Sequence, residues 1–218
     1  MLTIENLTFE RGDFALRADL RVSKGLTAVL GPSGSGKSTL LSLIAGFDDP
    51  DKGRILWSES DITVLSPGDR PVATLFQDNN LFPHLDVLTN VALGVSPKAK
   101  PAPGALEKSK QDLERVGLAG FETRKPKDLS GVQQSRAALA RILLTDRPVV
   151  LMDEAFSALG PALKFEMLSL ALSLMPEKTL IMVTHDPEDA KAFAHATVFV
   201  EDGKVAAPVE TKALFAKP

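Results

Sequence analysis

Between residues 26 and 46 the sequence commits the chain to a strand, a glycine loop and a helix in immediate succession. Leu26-Thr27-Ala28-Val29-Leu30 carries no charge and suits a buried strand. Gly31-Pro32-Ser33-Gly34-Ser35-Gly36-Lys37-Ser38 follows without a spacer, and STLLSLIAGF then shows the apolar spacing of a helix that stops near Gly46. The eight loop residues fit G-x-x-x-x-G-K-[ST]. Glycines let successive backbone N–H groups turn toward one anion without a Cβ clash, and the helix behind them adds the positive end of its dipole. Lys37 supplies a point charge for β- and γ-phosphates, and the Ser38 hydroxyl is placed to ligate Mg²⁺. The expected ligand is ATP.

A second chemical element must hold the metal and activate water. Val149-Val150-Leu151-Met152-Asp153-Glu154 ends an apolar run in two carboxylates. Asp153 is the candidate for Mg²⁺, through its water shell, and Glu154 for polarising the attacking water. Leu129-Ser130-Gly131-Val132-Gln133-Gln134 precedes a helical pattern. Ser130 is a reasonable N-cap there, and the N–H groups behind it suit a second anion. Gln77, after an apolar stretch, and His185, after LIMVT, are weak signals alone. A Gln at a strand end is usually solvated and a lone His usually structural; their order relative to the other motifs makes them informative.

With 218 residues, 44% of them hydrophobic, the chain suits one substantial domain with a packed core. A net charge of −3 offers no basic field for nucleic acid, so no nucleic-acid partner is expected. The lack of cysteine excludes disulfides and thiolate chemistry. Glu5, Glu10 and Asp13 interrupt the opening stretch, so no signal peptide is expected, and no apolar run is long enough to span a bilayer. His84 and His195 read as structural or surface residues, since no HxxxH or HExxH spacing suggests zinc.

Alternation predicts strands over 2–9 and 15–22, with shorter ones at 54–57 and 71–77. Residues 96–104 (SPKAKPAPG) read as a surface loop, and helices are predicted over 105–116 and 131–144. The apolar runs 147–152, charge-free after Arg147, and 180–184 suggest strands covered on both faces, as in a parallel sheet. Residues 198–200 and 204–206, around Asp202-Gly203, read as a hairpin, and His195 falls in a helix-like AKAFAHA.

Over nearly its whole length, this order of motifs resembles the ATP-binding subunits of ABC transporters, whose signature LSGGQ stands here as Leu129-Ser130-Gly131-Val132-Gln133. The resemblance implies an α/β P-loop fold: a mostly parallel sheet, an antiparallel N-terminal β region, and a helical subdomain over 81–145 inserted between core segments 1–80 and 146–218. It implies ATP hydrolysis with Glu154, His185 and Gln77 as catalytic residues, and Mg²⁺ held by Ser38, Gln77 and Asp153. It further implies a nucleotide site made of residues 31–38 with Thr39, Arg11 at the adenine position, and Ser130, Gly131 and Gln133 from a second subunit. Partners implied are a homodimer formed on ATP binding, a transmembrane permease met by the loop after Gln77, and, indirectly, a periplasmic solute-binding protein. The implied location is the cytoplasmic face of a bacterial inner membrane. Residues 70–82 (RPVATLFQDNNLF) look like the matching stretch of bacterial thiamine-import ATPases.

Some positions depart from the family pattern. Val132 stands in place of the second signature glycine, where a β-branched side chain would resist positive φ and crowd a γ-phosphate. Gly160 replaces an Asp, Ala155 a Pro, Ser135 a polar or basic residue, and Arg11 an aromatic; Phe9 or Phe14 are alternatives for the adenine. Slowed turnover is expected. Alternatives are an importer of another small solute, a regulatory ATP-binding protein with little hydrolysis, and a soluble ABC-type ATPase of DNA repair or translation. The last would need coiled-coil insertions or a second ATPase domain, and this chain has neither.

Overall fold

A computed structural model describes residues 1–95 and 103–216. The first half runs β1 (Leu2–Arg11), β2 (Phe14–Val22), β3 (Gly25–Leu30), α1 (Lys37–Ala45), β4 (Lys52–Trp57), β5 (Ser60–Asp61), β6 (Val72–Leu75) and α2 (Val87–Ala92). Then come α3 (Pro103–Arg115), α4 (Gly131–Thr145), β7 (Val149–Asp153), α5 (Pro161–Leu174), β8 (Thr179–Val183) and α6 (Pro187–Phe193). The chain closes with β9 (Ala196–Glu201), β10 (Lys204–Val205), β11 (Val209–Glu210) and α7 (Thr211–Phe215). Two compact units result. One comprises 1–74, 148–154 and 177–218; the other comprises 75–147 and 155–176.

The first unit is built on one sheet, ordered β5-β4-β1-β2-β10-β9-β3-β8-β7-β6, with β11 beside β9. Its two halves follow from two sequence patterns. β3 and β8 carry no charge and β7 only Asp153 at its end; all three are buried along nearly every residue, and they pair in parallel, β3 with β8 and β9, β7 with β8. β2 alternates buried and exposed residues, as a strand with one wet face must, and pairs antiparallel with β1. β10 joins the halves, antiparallel to β9 and parallel to β2.

α1 is the helix foreseen behind the glycine loop, and it ends in a left-handed Gly46 whose N–H returns to Leu43 and Ser42 carbonyls. Two of the helix's last carbonyls also meet Arg70, which is 0% exposed. The Arg70 guanidinium donates to Leu43 O at 2.6 Å and Ile44 O at 3.0 Å, and also to the carbonyls of Thr63 and Leu65. A Cβ on Gly46 would lie 2.5 Å from Arg70 Nε, so the glycine is needed for the cation to reach the helix end. A buried cation there answers both the unpaired carbonyls and the negative end of the helix dipole.

The second unit holds α2, α3, α4 and α5. At its loops, buried Asn90 of α2 accepts from Phe82 N at 2.7 Å and donates to Phe82, Leu85 and Asp86 carbonyls.

Several boundaries differ from the sequence reading. β6 stops at Leu75, so Gln77 lies in the following turn rather than at a strand end. α3 begins at Pro103, within the stretch read as a loop; residues 96–102 of that stretch lie outside the described residues. Proline at a first helical turn costs nothing, because its missing N–H has no partner there anyway. α6 ends at Phe193, leaving His195 beyond the helix, with its N–H on Leu26 O and its Nε2 3.1 Å from Ser23 Oγ. α2 and α5 were not foreseen. α2 is only six residues long, and α5 carries apolar residues around most of its circumference, which blurs helical periodicity.

Candidate active site

The loop after β3 is shaped by what cannot fit. A Cβ on Gly31 would lie 2.0 Å from Val200 O, and one on Gly36 2.9 Å from both Phe14 Cζ and Leu16 Cδ1. Gly36 also adopts φ 110° as the N-cap of α1, and no side chain caps that helix. Its first amides are therefore left to a ligand. Lys37 is largely buried, and its Nζ donates to Gly31 O and Pro32 O, each at 2.8 Å. The Ser35 hydroxyl is buried without a hydrogen-bond partner among the described residues. An uncapped helix start, a stranded donor and a buried ammonium fit an anionic ligand.

Beside the loop, β7 delivers Asp153. Ser38 Oγ donates to Asp153 Oδ1 at 3.3 Å, so two of the three residues expected to hold the metal are brought together. Burial pushes the Asp153 carboxyl above its ordinary pKa; the Ser38 hydrogen bond opposes this, the Glu154 charge adds to it, and Lys37 opposes it weakly. Glu154 takes a left-handed φ of 47°, uncommon without glycine, and is anchored by its N–H on Val183 O. His185 Nδ1 lies 3.9 Å from Glu154 Oε2. The residue before it, Thr184, is buried and donates to Asp189 Oδ2 at 2.6 Å, which fixes the backbone carrying the imidazole.

These groups border a cavity of about 470 Å³, between the loop residues Ser33, Gly34 and Gly36 to Thr39 on one side and Glu154 and His185 on the other. Phe14 forms part of its wall. Arg11 does not: its guanidinium lies 4.5 Å from the centroid of the Phe9 ring and 3.7 Å from Asp51. Among the three side chains weighed for the adenine, only Phe14 reaches the cavity wall. Ser38 and Asp153 are hard oxygen donors suited to Mg²⁺. Among the described residues no group of three or more His, Cys, Asp or Glu is placed to hold a metal ion.

Gln77, Ser130, Gly131 and Gln133 belong to the second unit. Ser130 is the N-cap of α4 and forms a capping box: its Oγ accepts from Gln133 N at 3.3 Å, and Gln133 Oε1 accepts from Ser130 N at 2.9 Å. Val132 is the second residue of α4 and is not among the positive-φ positions. The expected backbone strain at Val132 is therefore absent, because helical φ suits any L-residue; only its side-chain bulk distinguishes it from glycine. Gly160 caps α5 at φ −62° with open space around a Cβ position. Sequence reasoning missed Arg70, Asn90 and the carbonyl-binding role of Arg141; for Asn90 and Arg141 the only signal was a polar side chain amid apolar neighbours, and Arg70, between Asp69 and Pro71, gave none.

A glycine cradle on a parallel strand, facing a strand-end Asp-Glu pair, defines an ATP-hydrolysing cassette, and the ABC transporter family model matches residues 17–157. The chain belongs to the ABC transporter family: it is an ATP-binding subunit whose ATP hydrolysis is coupled to transport. The thiamine import ATP-binding protein ThiQ of Cereibacter sphaeroides is 55% identical over 221 residues, spanning 100% of this chain and 96% of that relative. The ThiQ protein of Ruegeria sp. (strain TM1040) is 48% identical with the same coverage. Among solved structures, the ADP conformation of MJ1267, an ATP-binding cassette of an ABC transporter, has a TM-score of 0.87 at 26% identity, covering 100% of this chain and 95% of that one. The dimeric post-hydrolysis cassette MJ0796, bound to ADP and Pi, has a TM-score of 0.79 at 28% identity, covering 97% and 99%. Among the described residues no helix is long and apolar enough to cross a membrane.

Proposed function

We propose that this chain powers a bacterial thiamine importer from the cytoplasmic face of the inner membrane, working as an ATP-driven homodimer beneath a permease that a periplasmic thiamine-binding protein supplies. The observation that carries the solute is the 55% identity to a thiamine import ATP-binding protein along the full chain. Glycine-loop amides and Lys37 hold the phosphates, and Lys37 exchanges its carbonyl partners Gly31 and Pro32 for phosphate oxygens. The Ser35 hydroxyl, free of other partners among the described residues, donates to the same group. Phe14 stacks on the adenine in place of Arg11.

Ser38, Asp153 and Gln77 would hold Mg²⁺, which would supply positive charge against the phosphates. Glu154 orients a water and draws its proton as the water oxygen bonds to the γ-phosphorus. The bond from that phosphorus to the β,γ-bridging oxygen breaks, leaving ADP and phosphate. His185, beside Glu154, donates to the γ-phosphate. Ser130, Gly131 and Gln133 of a second copy close over the nucleotide, and the loop after Gln77 meets the permease.

The test is uptake by the chain reconstituted with a thiamine permease and its periplasmic binding protein. Thiamine-stimulated ATP hydrolysis and thiamine accumulation are expected. Stimulation by a different solute, with none by thiamine, overturns the solute assignment.

A further inference from the structure

The segment after Gln77 forms neither helix nor strand over residues 78–85, yet its backbone is tightly specified. Asn79 and Asn80 are consecutive left-handed residues, at φ 57° and 47°. Asparagine visits that region singly, and two in succession need something to hold them. Arg141, on α4, supplies it. Its Nη2 donates to Asn79 O at 2.8 Å and its Nη1 to Asn80 O at 2.7 Å. A planar guanidinium offers two parallel donors to neighbouring carbonyls, which a lysine ammonium cannot.

Burial lowers the pKa of Arg141, as removal from water does to a cation. The two carbonyl dipoles stand in for the lost solvent. The other end of the loop is held by Asn90, through Phe82 and Leu85. Phe82, 46% exposed, and the exposed His84 are left facing outward, edge to face with ring centroids 6.0 Å apart.

We propose that Arg141 is a positioning residue that clamps the loop after Gln77 onto α4, so that the surface carrying Phe82 and His84 moves as one body with the Ser130 end of that helix. Arg141 lies eleven residues (141 − 130) beyond the Ser130 N-cap on the same helix, about 16 Å along its axis. A helix of this length is stiff, so a shift at Ser130 arrives at Asn79 and Asn80 through one side chain. That this surface meets a permease rests on the function proposed above; the clamp itself does not.

The test uses the full chain carrying Arg141→Gln or Arg141→Lys. Amide exchange over 78–85 should quicken roughly tenfold or more once two charge-assisted hydrogen bonds are lost, while 31–45 keeps its protection. Nucleotide affinity of the isolated chain should stay within about twofold, because the nucleotide loop lies in the other compact unit. In the assembled transporter, solute moved per ATP hydrolysed should fall several-fold, with hydrolysis continuing, and lysine should not restore it. Adding Asn79→Gly and Asn80→Gly to Arg141→Gln should recover part of the coupling, since glycine adopts the turn unaided. Unchanged exchange over 78–85 in both variants overturns the clamp. Faster exchange with unchanged transport per ATP overturns the coupling role. A wild-type chain that assembles with no permease refutes the proposed function instead, and the exchange result still decides the clamp.

Discussion

The starts of α1 and α4 are two helix N-termini with serine and glycine beside them, and the chain treats them oppositely. α1 begins at Gly36 in a left-handed conformation with no side-chain cap. Its amides, Lys37 and the Ser35 hydroxyl, which has no partner among the described residues, suit the phosphate proposed there. α4 begins at Ser130 with a complete capping box, so the amides of Ser130 and Gln133 are already paired with each other's side chains. One end suits an anion by itself. The other has part of its donors taken by its own cap, which suits the proposed contact made only when a second copy arrives.

The largest expected effect falls on the open end. Lys37→Ala should weaken ATP binding by the isolated chain about a hundredfold or more, read by fluorescence titration, because a charge-assisted contact to phosphate is lost. An equal loss from Ser130→Ala would break the contrast. Glu154→Gln should slow hydrolysis by two orders of magnitude or more while leaving nucleotide held. Light scattering with Mg-ATP should then find a dimer, and a monomer alone would count against closure over α4 of a second copy.

Smaller effects sharpen the contrast. Ser130→Ala should destabilise the chain by about 1 kcal/mol in denaturant melts, the usual worth of an N-cap, without changing ATP affinity of the isolated chain. Val132→Gly should raise ATPase of the assembled complex a few-fold by clearing side-chain bulk, since no backbone strain exists there to relieve. A rate no higher than wild type would sink the steric account.

The smallest effect is one of pH. Asp153 binds its proton more readily in the folded nucleotide-free protein than unfolded, so its contribution to stability is full below the ordinary aspartate pKa and is lost as pH rises through the raised folded value. Mg²⁺ requires the ionised carboxylate. The thermal stabilisation that Mg-ATP adds over metal-free ATP should therefore shrink as pH falls into that window, and Asp153→Asn should flatten the dependence.

The strand-loop-helix over 25–45, the ladder of β1 and β2, and the strand ending in Asp153-Glu154 were legible because each depends on neighbours in sequence. Glycine spacing, alternation and a charge-free run act over a few residues. The position of Gln77 past its strand, the short α2 and the evenly apolar α5 were not, since their boundaries answer to packing rather than periodicity. Val132 was misread for a related reason: a glycine in a motif suggests positive φ, but only coordinates reveal whether the position is helical.

By itself the sequence singled out 31–38 as the proposed phosphate loop and Asp153 and Glu154 as the proposed metal and water residues, and it set the motifs in the order of an ABC cassette. Tertiary structure alone decided that Phe14 and not Arg11 walls the cavity, that Arg70 closes α1 against Gly46, and that Arg141 grips Asn79 and Asn80. Local rules reach only as far as a turn of helix or a pleat of strand. Which of several aromatic or cationic side chains meets a given carbonyl or cavity depends on segments distant in sequence, and only the folded chain brings them together.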